Sequence, residues 1–210
     1  TILPPSVSEE VALFTEWLAI AESVLDTLQC SKGDHVLVLG ANLLGNVISQ
    51  LLIYRQIVPV LVDHDPEKLA YAKHCGIYYT FLCDETLQEN VVRVTGGRLA
   101  SAAVHASERD IDPSLAFSLS APRANVVYAG FGQRDLNVNL RTAMARKQRI
   151  FCVTEGKKHI ASAINLLANK AIALPDLHFD YHGADEIKSV LESLKQAPQD
   201  FRNPLVIRML

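Results

Sequence analysis

Short apolar runs alternate with stretches of helical periodicity along most of this chain. Such alternation is typical of a parallel sheet that helices cover on both faces. The predicted strands span 36–39, 58–62, 78–82, 102–106, 125–129, 149–153 and 205–209, and the predicted helices span 43–54, 66–75, 85–95, 113–119, 158–169 and 184–195. We therefore expect a doubly wound α/β fold.

The chain is predicted to form one domain over 1–210. Ser6 to Glu9 has the spacing of a capping box, and apolar residues at helical spacing continue to Leu28, so one long leading helix is expected within 1–30. The sheet and its helices then occupy 31–170. A helix and a strand form a C-terminal appendage over 171–210.

The most informative segment is the strand, turn and helix at 36–54. The apolar strand ends at Gly40, the helix carries Gly45, and a second apolar run ends in Asp63. This order resembles the dinucleotide-binding βαβ unit, in which backbone amides and a helix N-terminus face a pyrophosphate while the acid binds a ribose hydroxyl. Asp65 and Pro66 then begin the next helix as an N-cap and a first-turn proline. A nucleotide cofactor is the leading hypothesis.

Asn42 replaces the middle glycine of the G-x-G-x-x-G pattern. Asparagine tolerates a left-handed backbone, but its side chain takes up space through which a phosphate approaches the main chain. Its amide group could instead donate to that phosphate. The sequence leaves both alternatives open.

Composition describes an ordinary globular chain. Its 210 residues are 49% hydrophobic and 20% charged, with a net charge of −3, and the basic residues are scattered, so nucleic acid is not expected as a partner. No apolar run is long enough to span a membrane, and no signal peptide is recognisable, which predicts a cytoplasmic location. The four cysteines are isolated and are expected to be reduced thiols.

The order of motifs resembles the cofactor-binding half of the medium-chain, zinc-type alcohol and polyol dehydrogenases. The likeness runs almost end to end, from Glu16-Trp17-Leu18-Ala19-Ile20-Ala21 through 32–40 to Val206-Ile207-Arg208, and the stretch from Val62 to Gly76 is the most specific. The resemblance implies a Rossmann-type fold. It also implies a cofactor site formed by Gly40, Asn42, Leu43, Leu44, Gly45, Asp63, His64, Lys68, His105, Ala106, Ala129, Gly130, Phe131, Phe151 and Arg208.

In that site, Asp63 would bind the adenosine ribose, with Lys68 beside it. Phe151 would be a wall near the nicotinamide, and Arg208 would contact the pyrophosphate. An acid at position 63 favours NAD over NADP because it would repel a 2′-phosphate, although the neighbouring His64 weakens that preference.

The same resemblance implies that zinc and the proton relay belong to a separate catalytic domain that this chain lacks. Glu16 stands about where polyol dehydrogenases carry a zinc-associated glutamate, and a solvated helix carboxylate is the alternative interpretation. The first hypothesis is therefore an NAD(H)-binding domain for hydride transfer between nicotinamide and an alcohol or carbonyl, with no catalytic residue of its own.

A second hypothesis is a non-catalytic nucleotide-binding or oligomerisation domain with a decayed cofactor site. It depends on Asn42, and on Leu99 to Ala103 standing where relatives usually carry an acid. A homodimer through 136–153 is also expected, because relatives pair sheet edges there and an open sheet leaves an edge to cover.

Overall fold

The computed structural model describes residues 2–107, 111–130, 136–174, 180–196 and 205–209. The chain divides into two compact units, Thr1–Ala173 and Leu174–Leu210.

The first unit contains a six-stranded sheet in the order β3-β2-β1-β4-β5-β6, and every neighbouring pair is parallel. The chain therefore builds outward from β1 to β3, then crosses back and builds outward from β4 on the other side. This order confirms the prediction of a doubly wound, Rossmann-type fold. The strands are β1 (His35–Leu39), β2 (Val58–Asp63), β3 (Tyr79–Leu82), β4 (Ala100–His105), β5 (Ser120–Ala129) and β6 (Arg149–Val153).

Helices cover both faces of this sheet. They are α1 (Glu9–Ala12), α2 (Thr15–Leu28), α3 (Leu43–Tyr54), α4 (Pro66–His74), α5 (Leu87–Val94), α6 (Leu115–Ser118), α7 (Arg141–Arg146) and α8 (Ile160–Ala168), with a 3₁₀ turn at Lys157–His159. Leu37 and Leu39 pack in one cluster with Phe117 of α6, whereas the alternate residues Val36 and Val38 point to the opposite face. All four strand residues are fully buried. Burial on both faces explains why β1 is continuously apolar.

The leading segment differs from its prediction because it forms two helices. The N-cap is Ser8, not Ser6: its hydroxyl accepts from the Val11 N–H at 3.3 Å. The Phe14 N–H then bonds to the Val11 carbonyl at 3.1 Å, a tight turn that ends α1 before α2 begins. Phe14 is only 5% exposed, so its burial anchors this turn in the core.

Two short elements, α7 and β7, were not predicted. The second unit contains β7 (Asp180–Gly183), a 3₁₀ turn at Ala184–Glu186, α9 (Ile187–Gln196) and β8 (Leu205–Arg208), and its two strands pair in parallel. Tyr181, His182 and Gly183 are polar or small, so β7 lacks the apolar alternation that reveals a strand. Across the described ranges of both units, the helices are too short or too polar to cross a membrane.

Candidate functional site

The two halves of the sheet meet where β1 and β4 end. Gly40 follows β1 with φ +108°, a conformation that L side chains rarely adopt. A Cβ atom at Gly40 would lie 2.7 Å from both the backbone N and the Cα of Ser107, which follows β4. Position 40 therefore needs glycine for its backbone angle and for this close approach. In open parallel sheets, this switch point is where a ligand crevice forms.

Gly45 brings helix α3 against the turn. A Cβ at Gly45 would overlap the carbonyl oxygen of Gly40, so a larger residue would push the helix away from β1. The first and third glycines of the motif thus have separate steric roles, as in a dinucleotide-binding turn.

Asn42 is the N-cap of α3, and its backbone is extended rather than left-handed, with φ −68°. Its Oδ1 accepts from the Gly45 N–H at 3.0 Å, and its Nδ2 donates to the Ala106 carbonyl at 2.7 Å. The side chain therefore fastens the β1–α3 turn to the end of β4. Both ends of its amide group bind within the protein.

The first turn of α3 keeps two free donors. The Gly45 N–H is capped by Asn42, and the Asn46 N–H bonds to the Asn42 carbonyl at 2.9 Å. The N–H groups of Leu43 and Leu44 have no acceptor within the described ranges. Free amides at the positive end of a helix dipole are suited to bind an anion.

Asp63 ends β2 beside this turn and is 8% exposed. Its Oδ2 accepts from the Ala41 N–H at 2.7 Å, and its Oδ1 accepts from the Asp65 N–H at 2.9 Å. Each carboxylate oxygen has a second lone pair and can accept one further hydrogen bond. The main chain thus holds the carboxylate in one orientation at the strand end.

His105 lies at the end of β4 but packs into the protein. It is 4% exposed, and its Nε2 lies 3.3 Å from the Ile111 carbonyl oxygen. Because a carbonyl only accepts, this contact requires the tautomer with a proton on Nε2. Burial lowers the pKa of His105. The centres of the His105 and Tyr128 rings are 5.5 Å apart, so the imidazole packs against the tyrosine beneath the crevice.

The end of β5 completes the crevice. Ala129 is its last residue, and Gly130 follows with φ +130°. A Cβ at Gly130 would lie 3.9 Å from the Leu44 Cδ2 atom, so β5 ends close to the first turn of α3. Phe131, also predicted for the site, lies outside the described residues. Phe151 is on edge strand β6 and is 36% exposed.

The remaining predicted residues lie on the surface. His64 and Lys68 are exposed after β2 and on α4. Arg208, at the end of β8 in the second unit, has its guanidinium carbon 4.2 Å from the centre of the Tyr181 ring. Glu16 is exposed in the first turn of α2, and the described residues contain no group of three metal-binding side chains. Those residues do not form a zinc site by themselves.

Two polar residues inside α3 escaped the sequence analysis. Asn46 and Gln50 are 4% and 7% exposed in a helix that is otherwise mostly apolar. Their spacing of four residues places them on one helix face, where the Gln50 Nε2 donates to the Asn46 Oδ1 at 2.7 Å. A polar pair at this spacing in an apolar helix is the signal that could have revealed them.

The chain is similar in sequence or in fold to several dehydrogenases. An uncharacterized zinc-type alcohol dehydrogenase-like protein of Haemophilus influenzae is 21% identical over 204 residues, which is 96% of this chain. The short chain alcohol dehydrogenase RspB of Escherichia coli CFT073, solved with NADH, has a TM-score of 0.77 at 21% identity and matches 99% of the chain. A zinc-binding dehydrogenase of Sinorhizobium meliloti, solved with NADP, has a TM-score of 0.76 at 17% identity over 90% of the chain.

The chain resembles zinc-type alcohol dehydrogenase-like proteins. This confirms the resemblance predicted from the motifs. No family model matches the chain. The chain spans 59% of the Haemophilus influenzae protein, 61% of the RspB chain and 57% of the Sinorhizobium meliloti chain, so it matches only part of each of these proteins.

Proposed function

We propose that this chain is the NAD(H)-binding domain of a zinc-type alcohol or polyol dehydrogenase. The observation that carries the proposal is the β1–α3 turn at the switch point. There, Gly40 and Gly45 allow close backbone approach, and the amides of Leu43 and Leu44 are free among the described residues. The dinucleotide would lie across the ends of β1, β2, β4 and β5.

The pyrophosphate would accept from the first-turn amides of α3, and Asp63 would accept from the adenosine ribose. Asp63 supports this role because each of its oxygens already holds one main-chain N–H and retains a free lone pair. Ala106, Ala129 and Gly130 would line the crevice toward the nicotinamide, with Phe151 beyond them, and Phe131 stays a prediction from the resemblance. Asn42 would shape the crevice through its bond to Ala106 instead of donating to the phosphate.

NAD is favoured over NADP because a fixed carboxylate at position 63 would repel a 2′-phosphate. Known structures with this fold include one with NADH and one with NADP, so this preference rests on Asp63. The exposed side chains of His64 and Lys68 would reduce the preference without reversing it. Arg208, which lies in the second unit, stays a prediction from the resemblance.

When bound, the nicotinamide would supply hydride transfer to or from an alcohol or carbonyl carbon. The chain's contribution is to bind and orient the cofactor. We assign no catalytic residue to it, and zinc would belong to the part of the relatives that the chain does not match. The chain alone is therefore expected to bind cofactor without oxidising alcohols. We also propose a cytoplasmic location for the chain, as expected from its sequence.

The test is calorimetric titration of the chain with NAD⁺, NADH and NADPH. We expect selective binding of NAD(H), weakened in Asp63→Asn together with a smaller NADH-to-NADPH preference. Asp34→Asn is the matched control, because this carboxylate also accepts a main-chain N–H, from Ser31 at 2.8 Å, but precedes β1 at the opposite end of the sheet. Equal effects of the two variants would contradict the role of Asp63.

The competing candidate is a non-catalytic domain with a decayed site. Absence of binding to all three nucleotides in the wild-type chain would favour it. Asn42→Gly tests the cause: a large gain in NADH affinity would show that Asn42 obstructs the phosphate, whereas a loss, measured against a wild type that binds NADH, would show that Asn42 supports the site.

We also propose a homodimer formed through the β6 edge. Ile150 and Phe151 are 44% and 36% exposed on this edge strand, and Met144 of the preceding helix is 77% exposed. Pairing two such edges would cover apolar side chains and the outer backbone groups of β6. Light scattering should give twice the monomer mass, and Ile150→Lys should yield monomers. A monomeric wild-type chain at micromolar concentration would refute the dimer.

A further inference from the structure

An exposed carboxylate, Asp84, follows β3 next to the strand that ends in Asp63. Asp63 is the register partner of Leu82 in the parallel β2–β3 pair, and the Cys83 N–H donates to the Asp63 carbonyl at 2.9 Å. Asp84 is the next residue along the chain and is exposed. Because paired strands are about 4.8 Å apart and rise about 3.3 Å per residue, its Cα lies within roughly 9 Å of the Asp63 Cα. A ligand at Asp63 can therefore come close to Asp84.

Hydrogen bonds to Thr86 hold the Asp84 carboxylate in place and in its ionised form. Its Oδ1 accepts from the Thr86 hydroxyl at 2.7 Å and from the Thr86 N–H at 2.9 Å. Donors to a carboxylate favour the charged form, so these bonds lower the pKa of Asp84. At neutral pH a fixed negative charge therefore lies at the end of β3.

The Cys83 thiol lies within the electrostatic reach of both carboxylates. Burial raises the pKa of Cys83, and the charges of Asp63 and Asp84 raise it further. Asp112, which follows β4, has a smaller effect in the same direction. These effects agree with the register, since Cys83 lies between Asp63 and Asp84. An anion bound against Asp63 would thus meet a second negative charge nearby.

We propose that Asp84 is a second determinant of the preference for NAD(H) over NADP(H), because its charge repels a 2′-phosphate held at Asp63. This inference rests on the proposed function and adds a charge that acts through space, without touching the ribose. NADH and NADPH carry the same pyrophosphate, so their difference in affinity isolates the 2′-phosphate. For a phosphate monoester about 9 Å away in water, the repulsion corresponds to about a threefold loss of affinity.

The test measures the affinities of Asp84→Asn for NADH and NADPH by calorimetric titration at low ionic strength. Asparagine keeps an oxygen that can accept from Thr86, so this variant removes the charge and little else. NADPH affinity should rise about threefold, whereas NADH affinity should stay at the wild-type value. In 1 M salt the Debye length is about 3 Å, so the gain for NADPH should disappear.

Two further variants separate the local charge from other effects. Asp34 also accepts from a main-chain N–H and a hydroxyl, those of Ser31 and Ser101, but it lies at the opposite end of the sheet. Asp34→Asn should therefore leave both affinities unchanged. Asp84→Ser is a second neutral variant, whose hydroxyl can still accept from the Thr86 N–H. It should give the same gain for NADPH as Asp84→Asn.

The remaining outcomes are distinct. Unchanged NADPH affinity in both Asp84 variants, with a wild type that prefers NADH, would overturn this inference and leave the proposed function intact. A gain that Asp34→Asn shares, that NADH shows equally or that persists in 1 M salt would also overturn it. A wild-type chain that binds neither dinucleotide would overturn both proposals.

Discussion

Replacing Asn42 with glycine restores the usual motif but should destabilise the protein. Asn42 makes two hydrogen bonds, one to the Gly45 N–H at 3.0 Å and one to the Ala106 carbonyl at 2.7 Å. Ala106 is 2% exposed, so water cannot readily replace the lost donor. The first bond caps α3, the second joins the β1–α3 turn to the end of β4, and glycine makes neither.

Three contributions lower the free energy of unfolding of Asn42→Gly. An unsatisfied buried carbonyl at Ala106 costs about 1–3 kcal/mol. Glycine is a fair N-cap, so loss of the bond to Gly45 adds only about 0.3 kcal/mol. The extra freedom of glycine in the unfolded chain adds roughly 0.5–1 kcal/mol. The free energy of unfolding of Asn42→Gly should therefore fall by about 2–4 kcal/mol.

Urea denaturation, followed by circular dichroism and by the fluorescence of the single tryptophan, Trp17, measures this change. Asn139→Gly is the matched control: the Asn139 Oδ1 accepts from the Arg141 N–H at 3.0 Å, but this residue is exposed. Asn42→Ser keeps an oxygen for the cap and should lose only the Ala106 contribution. If Asn42→Gly lowers the free energy of unfolding by no more than Asn139→Gly does, the hydrogen bond between Asn42 and the Ala106 carbonyl does not stabilise the fold.

Three further predictions concern other parts of the chain. Gly45→Ala places a methyl group on the Gly40 carbonyl oxygen and should lower the free energy of unfolding by about 1–3 kcal/mol in the same urea assay; a change under about 0.5 kcal/mol would contradict the close contact. Burial lowers the pKa of His105 below its unfolded value, so the unfolded state binds more protons, and stability should fall as pH drops from about 7 toward 5. His105→Asn should flatten that pH profile, and an unchanged profile would show that His105 does not contribute. Burial, with a smaller effect of the Asp34 charge, raises the pKa of Cys30 to about 12, whereas Cys152 is exposed. A thiol reagent at pH 8 should therefore modify Cys152 well before Cys30, and Cys152→Ser should remove the fast phase.

Local sequence patterns were sufficient for the parts of the fold that depend on short-range chemistry. The strand ending at Gly40, the helix beginning at Leu43 and the Asp65-Pro66 helix start all lie where predicted. Buried strands are apolar on both faces, and caps and glycines act within a few residues, so their signals are local. Local patterns failed at β7, whose side chains do not alternate, and at the turn at Phe14, which is set by burial against distant residues.

The candidate site divides in the same way. The sequence by itself determined the alternation that specifies a parallel α/β sheet, and the spacing of Gly40, Gly45 and Asp63 predicted that they belong to one site. Only the tertiary structure decided how Asn42 and Gln50 are used. The partners involved, Ala106 for Asn42 and Ala173 for Gln50, are 64 and 123 residues away along the chain. An amide can donate or accept at either end, so its role follows from the backbone groups that folding brings to it, and sequence spacing does not encode them.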